Sequence, residues 1–344
     1  MHLSAQVGDR MATPRKLPSG RWRCLVYAGR DENGKRKYRS VTADTKKEAI
    51  AQAAQLENRP QNASKATVGE AVRQYIDLRS DVMSPATVRG YEKILRCNLA
   101  PIVNETASTL TQDDIQRFVA ELSRAIGAKT IRNVLGLLKP SLRGFVSPQI
   151  FEVNLPQKKP AELNIPSQET AQRLAEAVHG LEIELPVLLA MQCGLRMSEV
   201  LGVKKSDADF SAHMLKIRRA LVLDENDALV EKQPKSFRGN RNIPMSPRVM
   251  ELMAEADDTG YVIKISAATI THRFHHLMNS KGMPYIRFHD LRHYYASVLM
   301  LMNMPEGYMM DFMGHSTPGM LRKYQHIMDK EKSRWSDKLS DFFG

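Results

Sequence analysis

The chain has 344 residues, which at ~100–200 residues per domain indicates two or three domains. Charged residues make up 26% of the sequence and hydrophobic residues 42%, values that are typical of globular proteins and exclude fibrous and disordered classes. No apolar run approaches the roughly 20 residues that cross a bilayer, and the N-terminus lacks the apolar stretch of a signal peptide. We therefore expect a cytoplasmic protein with no membrane partner.

The net charge of +12 is concentrated in the first 160 residues. Residues 1–60 contain 13 Lys and Arg against 6 Asp and Glu, and residues 61–160 contain 14 against 9, whereas residues 161–344 contain 23 of each. Clustered cations displace counterions from a polyanion, which points to nucleic acid; a well-solvated surface is the simpler alternative. Acidic lipid is a weaker candidate, because no strongly basic amphipathic helix or lipidation signal is present.

The first segment, residues 1–62, predicts a small sheet backed by one helix. Trp22, Cys24 and Val26 alternate with polar neighbours, and the turn at 31–34 contains the Asn-Gly pair typical of a hairpin, so a second strand follows through 37–41. Thr45 and Glu48 have the spacing of a capping box at the start of a helix.

Residues 63–150 predict four or five short helices. Thr67 and Glu70 form a second capping box, Ser84-Pro85 and Thr111 begin the next two helices, and residues 129–138 form another that Pro140 ends or kinks. Four prolines between 147 and 166 resist both helix and sheet, so we assign 151–166 to an interdomain linker.

The last domain, residues 167–344, predicts helices on either side of a short run of strands at 215–222, 229–232 and 240–244. The fold class expected for the whole chain is therefore α+β and multidomain. It combines a small N-terminal sheet-plus-helix unit, a helical domain, and a mostly helical C-terminal domain with a small antiparallel sheet.

Several short motifs follow one another in the last domain. They are Gly194-Leu-Arg-Met-Ser-Glu199, Pro234-Lys235-Ser236 ahead of Arg241-Asn-Ile-Pro244, His289-Asp-Leu-Arg-His293, and Gly314-His315 followed by Tyr324. Together and in this order they resemble the tyrosine recombinase (phage integrase) family. The resemblance covers the whole C-terminal domain, and the upstream units look like that family's core-binding and arm-binding domains.

The chemistry implied by the resemblance needs these residue types. Tyr324 would attack a DNA phosphate and hold the strand in a 3′-phosphotyrosyl link, which stores the phosphodiester energy for rejoining. Arg196 and Arg292 would clamp the charge that gathers on the phosphate, with a further hydrogen bond from His315. The resemblance assigns Lys235 as general acid to the departing 5′ oxygen and His289 to proton handling near the nucleophile. Glu199 is expected to orient a neighbour.

Each assignment has an ordinary alternative. Tyr324 could be a core tyrosine of an amphipathic helix, Arg196 and Arg292 could pair with Glu199 and Asp290, and Lys232 rivals Lys235.

No metal or cofactor is expected. The pair His289 and His293 lacks the intervening glutamate of a helical zinc site and shows no third ligand. Histidines spaced like His272, His275 and His276 are more often surface or core residues. The three cysteines, Cys24, Cys97 and Cys193, are far apart without ligand spacing.

The sequence thus predicts an enzyme, a site-specific recombinase of a phage or another mobile element that exchanges DNA strands. A type IB topoisomerase that relaxes supercoils is the alternative enzyme, and a non-cutting DNA-binding regulator on the same scaffold is the alternative class. The expected partner is double-stranded DNA, at core and arm sites. An accessory DNA-bending protein is compatible with the resemblance.

The resemblance also implies a homotetramer on DNA. Trp335, Leu339 and Phe342 are spaced as one apolar stripe of a terminal helix, which the resemblance docks on a neighbouring protomer.

Basic and aromatic residues of the N-terminal sheet are the expected arm-site contacts. We predict that they line one face of the sheet and enter a major groove, which admits a β-ribbon. These residues are Arg21, Arg23, Tyr27, Lys37 and Arg39.

Overall fold

The computed structural model describes residues 14–30, 35–57, 65–158, 164–232 and 240–314. The chain divides into two compact units, residues 1–159 and 160–344, and the division falls inside the predicted linker. None of the helices in the described ranges is both long and apolar enough to cross a bilayer.

The N-terminal element is a three-stranded antiparallel sheet in the order β1-β2-β3, followed by a helix. Its parts are β1 (Arg15–Lys16), β2 (Trp22–Arg30), β3 (Arg36–Ala43) and α1 (Lys46–Glu57). Cys24 and Val26 of β2 pack in one apolar cluster with Ala49 and Ala53 of α1, as the alternation predicts. The turn predicted at 31–34 lies outside the described residues.

The pairing of β2 with β3 corrects the predicted DNA-contacting face. Directly opposed residues of paired strands share a face. Tyr27 lies opposite Tyr38, with ring centroids 5.8 Å apart, whereas Arg39 lies opposite Val26, which is buried in the cluster with α1. The prediction that Arg39 shares a face with Tyr27 is therefore wrong, because the register from Trp22 to Tyr27 places even-numbered residues of β3 opposite odd-numbered residues of β2. Lys37 belongs to the same strand, two residues before Arg39.

Four helices form the rest of the first unit around a core of their own. They are α2 (Val68–Asp77), α3 (Pro85–Cys97), α4 (Gln112–Ala125) and α5 (Ala128–Ser141). The capping box before α2 is confirmed: the Thr67 amide donates to Glu70 at 2.7 Å and the Glu70 amide donates to the Thr67 hydroxyl at 3.2 Å. Pro140 lies in the last turn of α5, which ends one residue later.

The first half of the predicted linker is held against these helices by side chains. The Gln116 amide group accepts from the backbone N–H of Asn154 at 2.8 Å and donates to its carbonyl at 3.3 Å. Arg132 of α5 donates to the carbonyl of Pro156 at 3.0 Å. Residues 152–158 lack regular secondary structure, as expected, but Asn154 and Pro156 within them are hydrogen-bonded to helices of the first unit.

The second unit surrounds small sheets with helices. Its elements are α6 (Gln168–Val178), α7 (Glu184–Gln192), α8 (Met197–Leu201), β4 (Ala208–Asp209), β5 (Met214–Ile217), β6 (Ala220–Leu223), β7 (Leu229–Lys232), β8 (Arg241–Pro244), α9 (Pro247–Glu255), α10 (Ala267–Ser280), α11 (Phe288–Leu301) and α12 (Glu306–Met313). The strands pair antiparallel, in the order β4-β5-β8 and as the pair β6-β7. The expected mixed fold class is confirmed, although the strand predicted at 215–222 is two strands.

Helix α7 lies at the centre of this unit. Its residues from Glu184 to Met191 are all buried, so the helix is apolar on every side and packs against α6, α9 and α11. Its end delivers the chain to the loop at 193–196, where the candidate site begins.

Candidate active site

A tight turn between α7 and α8 positions the first predicted arginine. Gly194 has a φ of +65°, and a Cβ built there would fall 2.3 Å from Cδ1 of Tyr295, so both the conformation and the space require glycine. Two residues later, the backbone N–H of Arg196 donates to the Glu199 carboxylate at 2.8 Å, which caps the start of α8. The turn therefore fixes Arg196 and Glu199 relative to each other.

The buried carboxylate of Glu199 is the centre of the site. Nη1 of Arg196 donates to its Oε1 at 2.8 Å, and Arg241 donates to Oε1 and Oε2 at 3.0 and 2.8 Å. Nη1 of Arg292 lies 3.7 Å from Oε2. Glu199 therefore orients Arg196, as predicted, and also binds two further arginines.

The charges around Glu199 leave the cluster cationic. Burial acts to raise the pKa of this carboxyl, but the hydrogen bonds from Arg241 and the positive charges of Arg241, Arg196 and Arg292 outweigh burial and lower the pKa to about 2. Glu199 is thus ionised at neutral pH. Three guanidinium groups around one carboxylate give a local charge of about +2, which suits an anion such as a phosphodiester.

Helix α11 delivers the second predicted arginine from the opposite side. Arg292 is 2% exposed and donates through Nη1 to the carbonyl of Gly194 and through Nη2 to that of Met313. Asp290, the alternative partner in the sequence, accepts instead from Arg287 at 2.7 and 3.0 Å. Arg292 is therefore directed toward Glu199 and is no surface ion-pair partner of Asp290.

His289 lies one turn before Arg292 and beside a cavity. The cavity has a volume of about 280 Å³ and is lined by Leu195, Met197, Thr271, His275, Arg287, Phe288 and His289. Although His289 remains solvent-accessible, partial burial and then the charge of Arg292 lower its pKa below the usual 6.5. The imidazole is therefore neutral at pH 7 and able to accept a proton.

The C-terminal unit, which contains this site, matches a known protein family. Residues 167–331 match the family model described as the phage integrase family. The matched segment is a domain of the phage integrase family. The match covers the Glu199 cluster, His289 and the segment that contains Tyr324.

One sequence relative extends over both units, and another is aligned over less than half of the chain. A tyrosine recombinase XerC-like protein of Caldanaerobacter subterraneus is 25% identical over 94% of this chain and 96% of its own length. A prophage phiRv2 integrase of Mycobacterium tuberculosis is 26% identical over 45% of this chain and 46% of its own length.

Solved integrase structures share the fold. The Tn1549 transposon integrase in complex with transposon right end DNA has a TM-score of 0.64 at 17% identity, covering 75% of this chain and 94% of that one. A lambda integrase dimer bound to a core site has a TM-score of 0.58 at 14% identity, covering 94% of this chain and 96% of that one.

Three further predicted catalytic residues lie outside the described residues: Lys235, His315 and Tyr324. The rival lysine, Lys232, ends β7 and is partly buried. In the described parts of the chain, no three His, Cys, Asp or Glu side chains come together as a metal site would require. The structure thus brings together Arg196, His289 and Arg292.

Arg241 belongs to this site although the sequence analysis gives it no role and names it only within a motif. It opens β8, where residues 241 and 243 are buried and alternate with exposed residues 242 and 244. Period-2 alternation places Arg241 on the same face as the buried Ile243. That alternation is a usable signal, because a buried arginine on a short strand requires an acidic partner.

Proposed function

We propose that this protein is a site-specific DNA recombinase that cuts and rejoins double-stranded DNA through a 3′-phosphotyrosyl intermediate. The observation that supports the proposal best is the Glu199 cluster, in which three guanidinium groups surround one ionised carboxylate within the segment that matches the family model. Such a fixed cationic site stabilises the charge that develops on a phosphate during attack.

In the proposed reaction, the phenol oxygen of Tyr324 bonds to the scissile phosphorus and the 5′ oxygen of the DNA leaves. His289, neutral at pH 7, accepts the phenol proton, and Lys235 gives a proton to the leaving oxygen. Attack by a 5′ hydroxyl of another strand reverses the step and releases Tyr324. Bond energy is conserved, so no nucleotide cofactor is required.

Arg196 is the arginine best exposed for contact with the phosphate. Its side chain is 37% exposed, whereas that of Arg292 is 3% exposed. We propose that Arg196 contacts the phosphate first, and that Arg292 and His315 complete the clamp when DNA is bound. A metal ion is not needed for this charge stabilisation, so we expect cleavage in excess EDTA.

The N-terminal sheet is proposed to bind arm sites separate from the sites that are cut. Arg21 and Arg23 are exposed, and Tyr27 packs edge-on against Tyr38, which is itself 49% exposed. The corrected face therefore presents Arg21, Arg23, Tyr27 and Tyr38. Lys37 and Arg39 stay proposed DNA contacts of the same sheet, and Arg39 lies on its other face.

A tetramer on paired DNA sites is proposed as the active assembly. A lambda integrase is known as a tetramer bound to a Holliday junction, at a TM-score of 0.57 to this chain. Truncation before Ser333 removes the apolar stripe of Trp335, Leu339 and Phe342. We expect it to preserve binding to one core site and to disrupt tetramers and recombination, as measured by native gels and by product formation. If the truncated protein recombined at the full rate, the stripe would not dock on a neighbouring protomer and would instead belong to the core of its own chain.

Covalent trapping tests the proposed function without knowledge of the target. The full-length protein is incubated with a pool of nicked duplexes of random sequence, in EDTA and without ATP, and DNA in denaturant-resistant adducts is recovered and sequenced. A sequence-specific adduct that is absent with Tyr324→Phe supports the recombinase. Adducts without sequence preference, together with relaxation of plasmids, indicate a topoisomerase, and sequence-specific binding without any adduct indicates a regulator.

A further inference from the structure

We infer that Arg241 is a positioning residue of the active site, which holds Glu199 and the end of α12 so that Arg196 and Arg292 face the scissile phosphate. The inference rests on the proposed recombinase function and adds a residue to it. In this account Arg241 does not touch DNA, because Nε, Nη1 and Nη2 of its guanidinium group are all hydrogen-bonded within the protein, to Phe312 and Glu199.

Arg241 uses its whole guanidinium group to join two parts of the site. Nη1 and Nη2 bind both oxygens of Glu199, at 3.0 and 2.8 Å, and Nε donates to the carbonyl of Phe312 at 2.9 Å. The planar group matches a carboxylate in a two-bonded arrangement and leaves Nε for a third acceptor. A lysine has a single nitrogen and cannot reproduce this geometry.

The second contact belongs to a repeated pattern at the end of α12. Three consecutive carbonyls accept hydrogen bonds from three different arginines: Phe312 from Arg241, Met313 from Arg292, and Gly314 from Arg196 at 3.3 Å. His315 is the next residue in the chain, and Tyr324 follows nine residues after it. The arginine cluster therefore fixes the point from which the chain continues to the proposed nucleophile.

The shared oxygen explains how Arg241 acts on Arg196. Oε1 of Glu199 accepts from Nη1 of Arg241 at 3.0 Å and from Nη1 of Arg196 at 2.8 Å. With Arg241 in place, its positive charge offsets the negative charge of the carboxylate, so that the positive charge of Arg196 remains available to the phosphate. Without Arg241, Arg196 and Arg292 remain as the cationic partners of the carboxylate among the described residues, and the local charge falls from about +2 to about +1.

The chain provides a matched control for this residue. Arg219 is a partly buried arginine with a similar set of contacts. Its two terminal nitrogens bind the carboxylate of Asp207, at 2.5 and 3.1 Å, and Nη1 donates to the backbone carbonyl of Gly202 at 3.2 Å. None of its described contacts involves Glu199 or α12. Arg219→Met therefore reports the effect of losing a buried ion pair elsewhere in the unit.

The test uses duplexes that carry the site recovered by covalent trapping with the wild-type protein. Single-turnover adduct formation is measured at saturating protein, and DNA affinity is measured separately by mobility shift. We expect Arg241→Met to slow adduct formation by ~100-fold, the loss typical of a displaced catalytic group, with the dissociation constant changed by less than about 3-fold. Arg241→Lys should lie between Arg241→Met and wild type, and Arg219→Met should remain close to wild type.

A neutral substrate separates positioning from general damage. A methylphosphonate at the scissile position replaces a charged oxygen by a methyl group, so a correctly placed arginine clamp matters less. We expect the ratio of wild-type to Arg241→Met rates to shrink toward one on this substrate. Equal slowing of Arg241→Met and Arg219→Met, with no such change in ratio, would show that the role is merely structural and overturn the inference.

Hydrogen exchange without DNA gives a readout that does not depend on cleavage. Arg241→Lys or Arg241→Met should speed exchange of the amides in 306–314 and leave α10 unchanged. Unchanged exchange in 306–314 would overturn the anchoring role. If the wild-type protein forms no adduct with any duplex, the proposed function fails and the catalytic role of Arg241 fails with it, whereas wild-type adducts with a fully active Arg241→Met overturn only the inference.

Discussion

The N-terminal sheet and the Glu199 cluster hold arginines in opposite ways. In the sheet, Arg21 pairs with Asp44 at 2.8 Å, but the two side chains are 52% and 82% exposed. In the cluster, the side chains of Arg241 and Arg292 are 2% and 3% exposed, and both bind buried backbone carbonyls.

This difference separates attraction from chemistry. Exposed cations attract DNA over about 10 Å at ordinary salt and are screened as salt rises. Buried cations in fixed positions have little reach, but they need no reorganisation when charge develops beside them. The excess of positive charge before residue 161, set against equal numbers of acidic and basic residues after it, follows the same division.

The largest expected effect comes from removing an arginine of the cluster. Arg196→Met should slow covalent cleavage by about 10³-fold, because a donor to the transition-state charge is lost, and should alter DNA affinity little. Its counterpart, Arg23→Met, should weaken DNA binding and reduce the salt slope by about one, with cleavage of bound core DNA unchanged. Single-turnover rates and anisotropy titrations over a range of salt measure both. If the two variants had the same pattern of effects, the division between the regions would be wrong.

Deleting residues 1–62 should have the next largest effect. We expect one class of DNase I footprint to disappear while covalent cleavage at the core site persists, because the sheet carries its own apolar cluster and its own cations. The control is the intact protein on the same DNA. Footprints that survive the deletion would show that the sheet is not the arm-binding element.

The acid limb of the cleavage rate tests His289. Partial burial and Arg292 lower the pKa of His289 below 6.5, so the imidazole stays neutral, and able to accept the Tyr324 proton, down to a pH below that value. The cleavage rate should therefore fall only as the pH drops below 6.5. The His289→Gln variant should cleave slowly, and its rate should not show this fall at low pH. A limb centred above pH 6.5, or one retained by His289→Gln, would assign the titration to another group.

Two glycines in the two units give the smallest effect, with opposite signs. Gly194→Ala should lower the free energy of unfolding by about 2 to 4 kcal/mol, because φ is +65° and the new methyl group meets the Tyr295 ring. Gly136→Ala, on the exposed side of α5 with open space around it, should raise that free energy by about 0.5 to 1 kcal/mol. Urea denaturation measures both. If Gly194→Ala left the free energy of unfolding unchanged, the turn before Arg196 would have to rearrange to accept the new methyl group.

Sequence patterns predict the local features of this fold well. The capping boxes at Thr45 and Thr67 are confirmed because each joins residues three apart, and Thr111 begins α4 as predicted. The order of motifs also predicts the family, since those motifs carry the chemistry.

Contacts between distant parts of the chain escape such patterns. Arg241 binds Glu199 and Phe312, which are 42 and 71 residues away, and Gln116 holds Asn154, 38 residues away. Nothing in the local spacing marks these pairs. The face of Arg39 depends on the register between β2 and β3, which the alternation within one strand does not determine.

The end of α12 illustrates a further consequence of the arginine cluster. The peptide dipoles of a helix leave roughly half a negative charge at its C-terminus, which by itself would repel a phosphodiester. Here that end bears three guanidinium groups on its last carbonyls. A helix terminus whose own partial charge would repel DNA thereby becomes cationic. The guanidinium groups that bind its last carbonyls also provide the positive charge of the site.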